Sequence, residues 1–179
     1  MRAIFGVTLS LVFVASTASA QSIVVQGSAG PTVTDSGYSV AAGVGLAPTS
    51  RLTLLLGVER THLSSRVTRD SQGRVTSAFR GGTVTFAAAE LRATLRRRDR
   101  VSPYVLGGFG AGVSRPNVTE IFPEAVTNDA RVLFAGGGLH VPVRQQISVF
   151  GDVRMVFGAE GNEGIVAFAP VRAGVWWRF

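Results

Sequence analysis

The sequence contains no cysteine and no lysine, so its positive charge is carried by 18 arginines. Without cysteine, disulfide bonds, thiolate catalysis and cysteine-ligated zinc are excluded. Charged residues make up only 16% of the chain while 46% of positions are apolar, a balance too hydrophobic for a disordered protein. The net charge of +7 suits acidic partners such as lipid, polysaccharide or nucleic acid without choosing among them.

Long hydrophobic runs are also missing beyond the first twenty residues. A transmembrane helix needs about 20 consecutive apolar residues, so a helical membrane protein is disfavoured. The remaining classes are a soluble β-rich domain and a membrane β-barrel.

The first twenty residues have the features of a secretory leader. Arg2 precedes an apolar stretch from Ala3 to about Ala15, and Ala18-Ser19-Ala20 stands before Gln21. Small residues at these positions are typical of a cleavage site. The sequence therefore predicts a signal peptide over residues 1–20 and a single domain over 21–179.

Apolar residues recur at every second position through most of the remaining chain, which is the period of a β-strand. Most of the strands are about as long as the 9 to 11 residues that a tilted membrane strand needs. Eight strands are predicted: Ser22–Gly30 (the weakest), Tyr38–Leu46, Arg51–His62, Thr83–Leu95, Ser102–Val113, Ala130–Val141, Ile147–Phe157 and Ile165–Phe179.

Connector lengths alternate between short and long, as they do in small outer-membrane barrels. The strands of a soluble β-sandwich would also alternate between apolar and polar residues, but their polar face should be rich in Lys, Glu, Thr and Ser. Here one face carries unbroken apolar runs such as Leu52, Leu54, Leu56 and Val58, and the other carries Gly, Ala, Ser and isolated charges. If Ser22–Gly30 were only a linker, the connector Leu63–Gly82 would have to supply the missing strands. The sequence favours an all-β, eight-stranded antiparallel up-and-down transmembrane barrel.

Two segments carry a family resemblance. Residues Tyr104–Gly112 read YVLGGFGAG, and the chain ends in RAGVWWRF. With the leader and the eight amphipathic strands, they resemble the small outer-membrane β-barrels of Gram-negative bacteria, of the OmpA and OmpX type. The resemblance implies a location in the outer membrane, and it implies that Val175, Trp177 and Phe179 form the signal recognised by the barrel-assembly machinery.

Alternation also predicts which charges face the barrel interior. An eight-stranded barrel is just wide enough to be filled by side chains, and a buried charge must be paired. We therefore expect a salt-bridged, filled lumen with no open channel. Its charged members are Glu59, Glu90, Arg92, Asp152, Arg154 and Arg172. The strand directions place Glu90 with Arg92, and Asp152 with Arg172, near the middle of the barrel.

The connector Leu63–Gly82 predicts a hairpin above the membrane. It carries Arg66, Arg69, Arg74 and Arg80. These arginines could bind lipopolysaccharide phosphates or an extracellular partner, or they could simply neutralise the anionic outer leaflet.

A second basic run, Arg96–Arg100, has no interleaved aromatic residues for base stacking, which disfavours nucleic acid. On a periplasmic turn it would contact anionic lipid headgroups.

An enzymatic role has one candidate motif. His62-Leu63-Ser64 has the His-x-Ser spacing of lipid A deacylases, but Ser65 follows where that family favours Asn, and no supporting downstream glutamate is evident. His62 and His140 lie too far apart to signal a zinc site. The sequence predicts no enzyme, no metal and no cofactor.

The expected function is that of a monomeric outer-membrane barrel with a structural or adhesive role through its outer loops. Its expected partners are outer-membrane lipid, lipopolysaccharide, the assembly machinery and an extracellular partner at residues 63–82. The alternatives are a narrow channel or carrier for small apolar molecules and, more remotely, a lipid A-modifying hydrolase.

Overall fold

The computed structural model describes residues 22–33, 36–95, 101–121, 123–160 and 165–179. The predicted leader and the arginine run 96–100 lie outside these residues. Within the described part of the chain, no helix is long and apolar enough to cross a membrane.

Each predicted strand is found in the structure, and several extend two or three residues further. The elements are β1 (Ser22–Thr32), β2 (Gly37–Ala47), β3 (Leu52–Leu63), β4 (Arg66–Arg69), β5 (Val75–Phe79), β6 (Gly82–Thr94), β7 (Ser102–Pro116), β8 (Asn128–Pro142), β9 (Ile147–Glu160), β10 (Ile165–Phe168) and β11 (Val171–Arg178).

The strands close into a barrel with antiparallel pairing at every step. The order around the barrel is β1-β2-β3-β6-β7-β8-β9-β11, and β11 pairs back onto β1 with Val25 opposite Trp177. This closure confirms the eight-stranded up-and-down barrel and the first strand. It excludes the sandwich alternative, because a sandwich leaves free sheet edges.

The predicted strand Ile165–Phe179 is interrupted in the structure. β10 and β11 both pair with β9, and their register is continuous across the break, since Phe168 faces Val156 and Val171 faces Val153. Proline at position 170 has no backbone N–H to donate to the ladder, which accounts for the interruption. The two segments form one wall of the barrel.

The two ends of the barrel differ. The hairpin end carries β4 and β5, which pair with each other as a separate two-stranded sheet above the barrel. The turn end carries the short connections 48–51 and 143–146. Long outer loops and short periplasmic turns are the rule in outer-membrane barrels, so the hairpin end is expected to face outward.

The outward-facing side chains form an apolar band. Leu54, Phe109 and Leu133 are 53%, 65% and 65% exposed, although large apolar side chains in soluble proteins are mostly buried. An apolar exterior on a closed barrel, with charged residues inside, inverts the arrangement of a soluble protein. Lipid is the solvent that this exterior fits.

Glycines on β8 make room for the interior. Gly138 lies opposite Asp152, and a Cβ atom on Gly138 would come within 2.8 Å of the Tyr104 ring and of the Asp152 Cβ. Gly136 lies opposite Arg154, and its added Cβ would meet the Arg154 Cβ at 2.9 Å. The run of glycines therefore leaves space for the charged side chains of β9.

Candidate functional site

The six charged residues assigned to the interior by alternation all lie inside the barrel. They come from β3, β6, β9 and β11, and each is between 2% and 7% exposed. We call this set the lumen network: Glu59, Glu90, Arg92, Asp152, Arg154 and Arg172.

Arg172 contacts two carboxylates of the lumen network. Its Nε donates to Asp152 Oδ1 and its Nη2 donates to Asp152 Oδ2, both at 3.0 Å, in a bidentate pair between neighbouring strands. Its remaining nitrogen, Nη1, donates to Glu59 Oε2 at 3.1 Å. A planar guanidinium suits this geometry because its donors form a fixed fork.

Arg154 and Arg92 complete the network across the lumen. Arg154 Nη2 donates to Glu90 Oε2 at 2.8 Å, and its Nη1 donates to Glu59 at 3.4 Å. Arg92 Nη2 donates to Glu90 Oε1 at 2.8 Å. Three guanidinium groups thus face three carboxylates, and their charges balance.

Neutral residues that the sequence analysis did not single out complete the hydrogen bonding. The Ser39 hydroxyl donates to Glu59 at 2.8 Å, the Tyr104 hydroxyl donates to Asp152 at 3.1 Å, and Gln26 Oε1 accepts from Arg92 at 3.1 Å. Each faces inward by the same alternation that placed the charges, so strand parity was the signal that could have found them.

The lumen network leaves little open space. A cavity of about 20 Å³ lies among Glu59, Glu90, Arg154 and Arg172. One water-sized sphere needs roughly 10 to 15 Å³. This cavity has room for about one water, so the described side chains fill this layer of the lumen and connect the surrounding strands.

The four hairpin arginines have different surroundings. Arg69 Nη1 donates to the Gly73 carbonyl at 3.1 Å, and Arg74 pairs with Asp70 at 2.8 Å. Arg80 is partly buried and donates to the carbonyls of Asn117 and Glu124, which attaches the hairpin base to the connection between β7 and β8. Arg66 is exposed on β4.

The hairpin turn depends on the Asp70 carboxylate. The Arg74 backbone N–H and the Arg74 guanidinium donate to it at 2.8 Å, and the Gln72 N–H donates at 2.9 Å. These hydrogen bonds lower the pKa of Asp70 below its ordinary value of 3.8, and the bond from the Arg74 backbone has the largest effect.

Acid is therefore expected to loosen this turn. A carboxyl with a lowered pKa contributes stability that is fully present above its unfolded pKa and is lost as pH falls through the folded pKa. Amide NMR of the folded barrel between pH 7 and pH 2 should show the Gln72 and Arg74 amides titrating below the ordinary aspartate pKa. Asp70→Asn should abolish that step. Titration of these amides at or above the ordinary value would contradict the assignment.

The enzyme motif is not assembled into a catalytic pair. The His62 Nδ1 lies 3.2 Å from the Thr83 hydroxyl, its ring lies 5.4 Å from the Tyr38 ring, and the Ser64 hydroxyl donates to the Ser36 carbonyl. His140 packs edge-on against Trp176, with ring centroids 5.2 Å apart. The described residues contain no cluster of three or more His, Cys, Asp or Glu that could hold a metal.

The predicted assembly signal lies on the outer face of the barrel. Val175, Trp177 and Phe179 are 51%, 46% and 62% exposed, and the last two rings stack 5.2 Å apart. This places an apolar, aromatic stripe on the lipid side of β11. Its role in assembly stays a prediction.

A closed eight-stranded barrel with an apolar exterior and a lumen filled by arginine and carboxylate side chains defines the class: this is a small β-barrel of the outer-membrane type. No family model matches the chain, and no curated protein matches it in sequence.

Solved structures give the particular fold. The chain is similar to Neisserial surface protein A, with a TM-score of 0.61 at 12% identity, covering 89% of this chain and 96% of that one. It is similar to the N-terminal β-barrel domain of Pseudomonas aeruginosa OprF, with a TM-score of 0.60 at 13% identity and coverage of 88% and 97%. It is also similar to Ail, the attachment invasion locus protein of Yersinia pestis, with a TM-score of 0.55 at 14% identity and coverage of 89% and 98%. The fold is that of small outer-membrane barrels, and the outer membrane is the location that fold and exterior together indicate.

Proposed function

We propose that this protein is an outer-membrane surface barrel that binds anionic partners through its outer hairpin, and that it has neither a diffusion channel nor a catalytic site. The observation that carries the proposal is the hairpin of β4 and β5, which stands outside the barrel with every residue of β4 exposed. A short sheet with accessible edges and basic side chains offers both charge and backbone groups to a partner.

Charge is supplied mainly by two of the hairpin arginines. Arg74 is neutralised by Asp70, and Arg80 is held by loop carbonyls. Arg66 and Arg69 are exposed on β4, and Arg69 donates to the neutral carbonyl of Gly73. The proposal therefore assigns anion binding to Arg66 and Arg69.

Further arginines support contact with the anionic outer leaflet. Arg60, Arg115 and Arg131 are exposed near the hairpin end of β3, β7 and β8. Arg60 is two positions beyond the outward-facing Val58, so it lies at the edge of the apolar band. Lipopolysaccharide phosphates at this level would satisfy these charges.

A carrier for small apolar molecules is less well supported, because the interior holds six balanced charges. The absence of catalysis also remains part of the proposal. It is supported by His62 and Ser64, whose hydrogen bonds go to partners other than each other.

A sulfated glycan analogue tests the hairpin. Ail has been crystallised with the heparin analogue sucrose octasulfate, which makes that compound a suitable anionic probe. Binding of sucrose octasulfate to the folded protein in maltoside micelles, measured by calorimetry, should weaken as salt rises, because exposed charges are screened. The Arg66→Gln, Arg69→Gln double variant should bind at least about tenfold more weakly, because it loses two charge-assisted hydrogen bonds and each is worth about tenfold in affinity.

Arg51→Gln is the matched control, since Arg51 is exposed at the opposite end of the barrel. It removes one positive charge, as each hairpin substitution does when made singly, and should leave the affinity unchanged. Equal weakening by Arg51→Gln and by the single variants Arg66→Gln and Arg69→Gln would show a response to net charge alone and would overturn the assignment to the hairpin.

A further inference from the structure

A cavity of about 110 Å³ lies at the turn end of the barrel, on the opposite side of the lumen network from the hairpin. Its mouth is bordered by Arg144, Gln145 and Gln146, which are exposed in the turn 143–146. Arg92 and Trp176, both nearly inaccessible, border its inner end. The cavity has room for several water-sized spheres.

The described lining of the cavity contains basic side chains and no acidic ones. Its described residues include three arginines, Arg92, Arg144 and Arg178, and no carboxylate. Side-chain hydroxyls from Thr53, Thr94 and other residues supply further donors. A polar recess with several guanidinium groups and no acidic residue suits an anion.

Two buried donors in this lining lack partners. Arg92 Nη1 and Trp176 Nε1 are buried nitrogens to which the described residues offer no acceptor. The Arg92 guanidinium is held in place by Glu90 and by the rings of Tyr104 and Trp176, whose centroids lie 4.5 and 4.7 Å from its Cζ. A buried donor without an acceptor is unfavourable, because it has lost its hydrogen bonds to water and gained none in return.

We propose that this cavity is a binding site for a phosphate-class oxyanion that enters from the turn end. The buried Arg92 Nη1 and Trp176 Nε1 are the donors available at its inner end, and the guanidinium groups of Arg144 and Arg178 complete the positive field at its mouth. The group bound is either free inorganic phosphate or the phosphate of an anionic lipid headgroup. The site lies apart from the hairpin and does not depend on the function proposed for it.

The protein carries its own reporter for this site. The chain contains two tryptophans, and Trp177 faces outward, where it stacks on Phe179. The conservative variant Trp177→Phe leaves Trp176, at the cavity wall, as the only source of tryptophan fluorescence. In this background, titration of the folded protein with inorganic phosphate in maltoside micelles should give a saturable change, whereas sodium chloride at equal ionic strength should not.

Two mouth variants locate the response. Arg144→Gln and Arg178→Gln should each weaken the apparent affinity for phosphate about tenfold, the effect of one lost charge-assisted hydrogen bond. Arg51→Gln removes the same charge from another turn at this end of the barrel without bordering the cavity and should leave the affinity unchanged. Folding of each variant is checked by heat-modifiable gel mobility. If Arg178→Gln does not fold, Arg144→Gln carries the test, because its side chain is exposed in a turn.

The two sources of phosphate are distinguished by lipid. In nanodiscs of phosphatidylglycerol, a site filled by headgroups should show the bound fluorescence before any phosphate is added, and short-chain phosphatidylglycerol should reproduce it in micelles. A site for free phosphate should give the same titration in nanodiscs and micelles. No saturable response to inorganic phosphate or short-chain phosphatidylglycerol, or equal affinities in Arg144→Gln, Arg178→Gln and the parent, would overturn the proposal.

Discussion

Arg172→Met should lower the free energy of unfolding of the barrel by about 3 to 5 kcal/mol, the cost of removing one partner from a buried ion pair. The substitution removes both hydrogen bonds to Asp152 and the bond to Glu59, and it leaves two carboxylates in a lumen where each is less than 4% exposed. Equilibrium denaturant titration of the protein folded in lipid vesicles, followed by tryptophan fluorescence, measures the loss.

The loss of stability in Arg172→Met should come mainly from the Asp152 carboxylate left buried without a partner, and less from the lost attraction between the two charges. Adding Asp152→Asn to Arg172→Met removes a negative charge together with the positive one, so the double variant should be less destabilised than the two single effects summed. Arg51→Met, at an exposed turn position outside the proposed anion site, is the matched control and should change the free energy of unfolding by less than about 0.5 kcal/mol.

Two outcomes would contradict the view of the lumen network as a structural filling. One is an Arg172→Met variant as stable as the Arg51→Met control. The other is ion conductance of porin scale by the native protein in planar bilayers, because the described lumen residues leave space for only about a water between Glu59 and Arg172.

Strand parity explains how much of the fold could be predicted from the sequence. A one-residue shift in a strand moves every side chain to the other face, so a long alternating pattern fixes which residues face lipid. The alternating pattern identifies the lipid-facing residues without ambiguity in two segments, Leu52 to Val58 and Val171 to Phe179. The break at Pro170 was not predicted, because the pattern of facing continues across it and only the hydrogen bonding changes.

Strand parity predicts which charged residues lie inside the barrel, but it does not predict which of them form ion pairs across the lumen. Arg154 is in contact with Glu59, which lies 95 positions earlier on a strand that does not neighbour its own. Such contacts depend on the tilt and stagger of the closed barrel, which alternation does not encode. Only the short-range pairs, Glu90 with Arg92 and Asp152 with Arg172, were expected from the strand positions.

The cavity at the turn end was missed for a related reason. Its lining comes from separate strands and turns, among them Thr53, Arg144 and Arg178, and none of these forms a local motif. The hairpin arginines show the same limit: the sequence grouped four of them, while the structure attaches Arg80 to a loop some 40 positions away. Contacts between distant connectors appear only after the barrel has closed.

A charge placed on the apolar exterior should also destabilise the barrel strongly. Leu56→Arg places a charge in the middle of the band on β3, where Leu54, Leu56 and Val58 are each about half exposed. A charge near the bilayer midplane costs roughly 2 to 4 kcal/mol, and near the interface roughly 0 to 1 kcal/mol. His62→Arg, on the same strand and face but at the hairpin end, is therefore the matched control.

The free energy of unfolding of both variants is measured in lipid vesicles under the same conditions. The value for Leu56→Arg should be lower than that for His62→Arg by about 2 kcal/mol or more. Repeating the comparison in vesicles of thinner bilayers should narrow the gap, because position 56 then lies nearer the interface. Equal stabilities for the two variants would mean that water, not hydrocarbon, surrounds this face. That result would remove the reason for an apolar exterior and, with it, the assignment of the barrel to a membrane.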